Sequence, residues 1–241
     1  MPRFYVDHAL ETGTLLQLPD SVARHVRVLR LRSGDSVTLF NGLGGEYIST
    51  LTTVDKQHVE VSLGTFSARE AEPAHAITLA QGLPESAKMD WIVEKAIELG
   101  VGGIQPLICE RSVIRLDEER AAKKLAHWRG IIVAAAEQCG RNRLPFLAPP
   151  LRFDQWMRSQ DTHRRVLLSP RASEPLSAWA RQQPAQTITL MVGPEGGWSA
   201  AEEALALAHG ALQLSIGKRV LRTETAGIAA LAGLQTLWGD M

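Results

Sequence analysis

The sequence predicts an α/β protein in which a small β-rich N-terminal module precedes a mostly parallel sheet covered by helices. Residues 1 to about 70 hold short β-branched and aromatic runs separated by glycine turns. From Ala76 onward, apolar runs of strand length alternate with segments of helical periodicity, the order expected of parallel strands joined by crossover helices. Between the two, the polar stretch Ser67 to His75, with Arg69, Glu70, Glu72 and Pro73, breaks the strand pattern and reads as a linker. The expected domains are residues 1–70 and 74–241.

Composition sets the outer limits. A chain of 241 residues with 45% hydrophobic content can bury one large core or two modest ones. Lys plus Arg and Asp plus Glu both total 26, so a nucleic-acid partner has to be met by a local basic patch. Cys109 and Cys139 have no cysteine or histidine at ligand spacing, which argues against a zinc site and against a disulfide framework; no metal is expected. The start, Met-Pro-Arg-Phe-Tyr-Val, carries no apolar run behind a basic segment, and no stretch reaches the roughly 20 apolar residues of a membrane span. A soluble cytoplasmic protein with no membrane partner is expected.

In the first module, strands are expected at Phe4 to Val6, Thr14 to Leu16, Ser36 to Phe40, Tyr47 to Val54 and His58 to Leu63, with turns at Asn41-Gly42 and Gly44-Gly45. The stretch Arg24 to Arg32 holds four arginines and no acid; as a helix it buries Val22, Val26 and Leu29 and turns Arg24 and Arg27 outward, with Arg30 on the flank. In the second module, strands are expected near Ile77 to Leu83, Ile104 to Ile108, Arg165 to Ser169, Thr187 to Val192 and Leu212 to Ile216. Helices are expected near Ala87 to Leu99, Asp117 to Cys139, Leu176 to Gln182, Ala200 to His209 and Glu224 to Trp238. The last is apolar all round, with Ile228, Leu231, Leu234 and Trp238 on one face and Ala226, Ala229, Ala230, Gly233 and Leu237 on the other. Such a helix is buried on both sides, and its small-residue face predicts a second copy of the chain as partner.

Ligands of open parallel sheets sit beyond the carboxyl ends of the strands, which directs attention to two loops. The first, Gly193-Pro194-Glu195-Gly196-Gly197, runs into Ser199 and Glu202, a capping-box pair that fixes a helix start. It matches neither the phosphate loop of nucleotide triphosphatases nor the dinucleotide fingerprint. The second, Gly217-Lys218-Arg219-Val220-Leu221-Arg222, puts three cations beside a helix start, with Thr223 a candidate N-cap. Backbone N–H groups and arginines together suit an anionic or carbonyl-rich ligand.

With His25-Val26-Arg27-Val28-Leu29-Arg30, Lys95-Ala96-Ile97-Glu98-Leu99-Gly100-Val101 and Ala136-Glu137-Gln138-Cys139-Gly140-Arg141, these loops resemble the RsmE family of 16S ribosomal RNA uridine N3-methyltransferases of the SPOUT superfamily. A further match is Leu221-Arg222-Thr223-Glu224-Thr225-Ala226, and the resemblance spans nearly the whole chain. It implies an N-terminal PUA-like RNA-binding β-barrel, a SPOUT α/β domain with a mostly parallel sheet and a C-terminal trefoil knot, and a homodimer. General connection rules alone argue against a knot. Where the family carries leucine, the second loop begins with Ile216, a mild departure.

The resemblance implies S-adenosyl-L-methionine held by Leu168, Gly193, Glu195, Gly196, Gly197, Ile216, Gly217, Val220 and Leu221, and 16S ribosomal RNA of the small subunit as substrate. Candidate RNA contacts are Arg3, Arg24, Arg27, Arg30, Gln138 and Arg141. His25 either touches RNA or packs. Uracil N3 must lose its proton before it attacks a methyl group, so Arg222 is expected to stabilise the anion and Glu224 or Glu137 to accept the proton. A SPOUT enzyme acting on ribose or transfer RNA, and a noncatalytic RNA-binding protein, stay open at this point.

Overall fold

A computed structural model describes residues 1–112, 117–159, 163–239 and 241. The described residues form two compact units, one of residues 1–72 with 133–144, the other of residues 73–132 with 145–241.

In the first unit the elements are β1 (Arg3–Tyr5), β2 (Leu15–Gln17), α1 (Asp20–Val28), β3 (Ser36–Phe40), β4 (Glu46–Val54) and β5 (Val59–Ser67). They make one sheet in the order β1-β3-β4-β5-β2, antiparallel except for the parallel pair β1 and β3. Register shifts at Ile48/Ser49 and Leu51/Thr53 bend the long strand β4. The inward positions Phe4, Val37, Leu39, Leu51, Val61 and Leu63 meet Val22 and Val26 of α1 in one core. Each such side chain contributes about 1.5–3 kcal/mol of burial.

Helix α1 is shorter than its sequence pattern. It ends at Val28, where Arg30 takes a left-handed φ of 56° and the Arg30 and Leu31 N–H groups donate to the carbonyls of Arg27 and Val26. These are the two bonds of a Schellman cap. Leu29, expected to be buried, is consequently 46% exposed, and Arg30 lies beyond the helix rather than on its flank.

The segment read as a linker is fastened down. Glu70 Oε1 accepts the Gly45 N–H, Arg69 pairs with Glu46, and Glu72 pairs with Arg141, which is only 3% exposed. These contacts join residues far apart in sequence and bring 133–144 into the first unit, although sequence order assigned that segment to the second domain.

The second unit contains β6 (Ile77–Gly82), α2 (Ser86–Glu98), β7 (Gly103–Ile108) and α3 (Glu118–Cys139), whose last turns belong to the first unit. There follow β8 (Phe146–Leu147), β9 (Leu151–Arg152), α4 (Phe153–Arg158), β10 (Arg164–Leu168), α5 (Leu176–Arg181), β11 (Ile188–Val192), α6 (Ala200–Ala208), β12 (Leu212–Leu214) and α7 (Thr223–Trp238). The strands pair in parallel in the order β12-β10-β11-β6-β7-β8, with β9 also on β7. The short β8, β9 and α4 escape sequence reading because they are too brief to show a period. Their role is packing: Phe153, Trp156 and Met157 are buried against Trp198 and Leu167.

No helix among the described residues is long and apolar enough to cross a membrane. Cys109 and Cys139 form no disulfide.

Candidate functional site

Parallel order alone locates a crevice in the second unit. The chain leaves β6 towards β7 but leaves β11 towards β12, on the opposite side, so the neighbours β6 and β11 form a switch point. Beyond the carboxyl ends of β10, β11 and β12 lies a cavity of about 550 Å³, a size that suits a nucleoside-sized ligand.

Its wall is built by the two loops singled out in the sequence. Leu168, Gly193, Glu195, Gly196, Gly197, Val220 and Leu221 line it together with Arg222 and Glu224. Ile216 and Gly217 line a smaller hollow of about 60 Å³ that shares Leu168, Val220 and Leu221 with the first. Apolar walls are supplied by Leu168, Val192 and Trp198, whose Nε1 donates to the Leu168 carbonyl at 3.2 Å and ties the β11 loop to the end of β10.

The glycine loop is held at both ends. Gly197 N–H donates to the Pro194 carbonyl at 2.8 Å, closing the turn. Ser199 Oγ accepts the Glu202 N–H while the Glu202 carboxylate accepts the Ser199 N–H, the capping box that the spacing predicts. Glu195 Oε1 accepts the Glu85 N–H at 3.0 Å and the Lys88 Nζ at 2.9 Å. Burial pushes the Glu195 carboxyl up, but the Glu85 N–H and Lys88 outweigh it and hold the group below the usual carboxylate range. Glu195 is therefore committed to shaping the loop.

Thr223 was expected to cap α7; Arg222 occupies that position, with φ −65° and ψ 153°. The Thr223 hydroxyl is engaged elsewhere, donating to the Gly193 carbonyl at 2.5 Å and accepting from Gln81 Nε2 at 2.9 Å. It thereby locks the second loop onto the first and leaves no hydroxyl for the cap.

Four cations line the cavity, and their partners separate them. Lys88 is held by Glu195, Arg111 by the Gly196 carbonyl at 2.9 Å, and Arg171 by Glu203 at 2.6 Å. The Arg222 side chain has no hydrogen bond or ion pair among the described residues. Two residues along, Glu224 Oε2 is buried without a hydrogen-bond partner. Such an orphaned acceptor is costly unless something else fills its place. Lys88, Arg111 and Arg171 carry no sequence signal of their own; only the exits of β6, β7 and β10 bring them here.

The remaining candidates belong to the first unit. Arg3 is ion-paired with Glu46 and donates to Asn142 Oδ1 at 2.6 Å, and Arg141 is buried on Glu72. These two guanidinium groups hold the unit together, being engaged by Glu46, Asn142 and Glu72. Arg24 and Arg30 are exposed, Arg27 donates from Nε to the Asp55 carbonyl at 2.9 Å, and Gln138 is exposed at the end of α3. Glu137 accepts the Tyr5 N–H at 2.9 Å, with His25 Nδ1 at 3.9 Å; burial raises its carboxyl, against the pull of Tyr5, His25 and Arg3. His25 also packs edge-on against Phe4 at 5.2 Å.

Comparison with known proteins bears on both units. Residues 70–235 match the RNA methyltransferase domain family and residues 18–64 match the RNA methyltransferase PUA domain family. The chain is similar to ribosomal RNA small subunit methyltransferase E of Bacillus subtilis, 30% identical over 97% of this chain and 96% of that protein. The Synechocystis protein of the same name is 36% identical over 88% of this chain and 69% of its own length. Among solved structures, ribosomal RNA small subunit methyltransferase E of Neisseria gonorrhoeae, bound to S-adenosyl methionine, superposes with a TM-score of 0.93 at 38% identity, covering 100% of this chain and 99% of that one. A Legionella pneumophila structure in complex with the cofactor SAM gives 0.92 at 40% identity, covering 97% of this chain and 96% of that one.

Proposed function

The chain belongs to the ribosomal RNA small subunit methyltransferase E family, and on that premise we propose that it methylates N3 of a uridine in 16S ribosomal RNA of the small subunit, using S-adenosylmethionine. The observation that carries the reading is the pair of heads on one cavity wall with no partner among the described residues, Arg222 and the buried Glu224 Oε2. The cavity fits the donor: side-chain-free backbone at Gly196 and Gly197 and apolar surface from Leu168, Val192 and Leu221. Bound there, S-adenosylmethionine supplies an electrophilic methyl group.

The chain's own residues then do three things. Leu168, Gly193 to Gly197 and Ile216 to Leu221 hold the donor. Arg222 stabilises negative charge on the uracil oxygens as the N3 proton leaves, which lowers the barrier to attack. Glu224, which shares the cavity with Arg222, accepts that proton directly or through water. Glu137, in the first unit, is already an acceptor for the Tyr5 N–H, which makes Glu224 the stronger choice. Incubation with S-adenosylmethionine and small ribosomal subunits lacking the modification, followed by nucleoside mass spectrometry, is expected to yield N3-methyluridine. Methylation at a ribose oxygen, or none, would refute the reading.

The first unit is proposed to hold the RNA through the exposed cations Arg24 and Arg30, the half-buried Arg27 and Gln138. Phosphate neutralisation of this kind releases counterions, so Arg24→Ala with Arg30→Ala is expected to flatten the dependence of log affinity on log salt by about 0.7–0.9 for each phosphate no longer neutralised. An unchanged slope in filter binding removes these two residues from the interface. The setting is the cytoplasm, where ribosomes are.

Two further features belong to this proposal. The α7 face with Ala229, Gly233 and Leu237 lines an apolar groove with Leu176 and Ile216, and a Cβ at Gly233 would meet nothing within 4 Å. Room of this kind supports a homodimer, expected as twice the chain mass in sedimentation at micromolar concentration; a monomer there ends the idea. The β10, β11 and β12 exits are proposed to form the trefoil knot. In its favour, the Ser215 N–H donates to the Glu174 carbonyl and the Thr223 hydroxyl to the Gly193 carbonyl, so the segments that follow β10, β11 and β12 are bonded to one another. A crystal structure whose chain straightens unknotted when drawn out from both ends would exclude it.

A further inference from the structure

The donor loop touches one side chain from a strand that contributes nothing else to the proposed chemistry. Arg111 follows β7, and its NH1 donates to the Gly196 carbonyl at 2.9 Å while the residue lines the cavity. The fit between the two is close: a Cβ on Gly196 would stand 2.9 Å from the Arg111 Cβ. Only a glycine lets the loop lie against the arginine this tightly.

Arg111 is itself held in place. Ser112 Oγ accepts the Cys109 N–H at 3.1 Å, and the Ser112 N–H returns to the Cys109 carbonyl at 3.1 Å, so the turn that carries Arg111 is closed on both sides. The next backbone group, the Glu110 N–H, donates to Glu202 Oε1 at 2.8 Å. Glu202 is 7% exposed and uses its other oxygen on Ser199. One buried carboxylate thus joins the start of α6, directly after the glycine loop, to the β7 turn, directly before Arg111.

Three of the loop's five carbonyls are bonded: Gly193 by Thr223, Pro194 by Gly197, and Gly196 by Arg111. Of these, the Arg111 bond is the one made from outside the β11 and β12 loops. We infer that Arg111 is a positioning residue for the methyl-donor site, holding Gly196 so that the loop keeps the shape of the bound state before the donor arrives. Pre-ordering a binding loop raises affinity because the ordering cost is met in advance. The inference rests on the proposed methyltransferase reading and adds to it a residue from β7.

The test uses the full chain as wild type, Arg111→Ala and Arg111→Lys. Titration calorimetry reads the S-adenosylmethionine dissociation constant, and amide hydrogen exchange reads residues 193–198 without donor. Arg111→Ala is expected to weaken donor binding about tenfold, the scale of one charge-assisted hydrogen bond. It should speed exchange at Gly197 while the single-turnover rate at saturating donor falls far less than the affinity. Lysine, which keeps the charge and can reach the carbonyl, should restore part of the affinity. Unchanged donor affinity in Arg111→Ala overturns the inference, as does a loss confined to RNA binding. Wild-type protein that binds no donor would instead sink the methyltransferase reading itself, so the two failures are distinct.

Discussion

Arg222→Ala is expected to lower the single-turnover rate of methyl transfer by about two to three orders of magnitude, the effect of removing one well-placed donor of about 2.7–4 kcal/mol from a developing anion. The size follows from what Arg222 does in the resting protein. Lys88, Arg111 and Arg171 are each bonded to a carboxylate or carbonyl of the cavity wall, so their removal disturbs the wall. The Arg222 side chain bonds nothing among the described residues, so its removal should leave the wall standing and subtract charge from the reacting group. Donor affinity, read by calorimetry, should stay within a few-fold of wild type. Arg222→Lys should fall between, because a point charge stabilises the anion without the planar fork. Turnover near wild type in Arg222→Ala would withdraw the assignment.

Gly82→Ala is expected to weaken donor binding by about one to two orders of magnitude and to lower the melting temperature. Gly82 ends β6, and its neighbour Gln81 is in register with Val192 of β11. A Cβ at this position would stand 2.7 Å from Pro194 Cδ, 2.8 Å from Pro194 N and 3.1 Å from Cys109 Sγ. Two of those atoms belong to the rigid proline of the donor loop. Relief therefore requires the loop to move as a body, against the Thr223, Trp198 and Glu195 bonds that hold it. Overpacking of this kind costs about 1–3 kcal/mol, and here the loss falls on the binding site. A suitable control is Gly130→Ala in α3, where a Cβ meets nothing within 4 Å. There the substitution should add about 0.5–1 kcal/mol of helix stability and leave donor binding alone. Equal effects from the two substitutions, read by calorimetry and thermal melting, would show that the clash at Pro194 is not transmitted to the site.

Much of this protein is legible in one dimension because its signals are local. The parallel strands β6, β7, β10, β11 and β12 are apolar runs, the Ser199 and Glu202 capping box is a fixed spacing, and the glycine loop and the Arg222 loop each follow a strand. Hydrophobic period and turn chemistry suffice for such features, since they depend on neighbours a few residues away. They also suffice to point to the exits of β11 and β12, while Leu168 at the exit of β10, which lines the same cavity, is indicated by the family resemblance alone.

What tertiary structure decided is which polar groups find partners. Arg3, Arg24, Arg30 and Arg141 look alike as letters, yet the first and last are spent on Glu46 and Glu72 while the other two face outward. In the cavity the same sorting singles out Arg222 among four cations and leaves Glu224 Oε2 bare. Pairing is a matter of distance between residues remote in sequence, set by sheet order and by the 133–144 segment folding into the first unit. Coulomb attraction and hydrogen bonding act over a few ångströms, so a sequence can nominate charged residues and only their placement in three dimensions decides which remain available for a ligand.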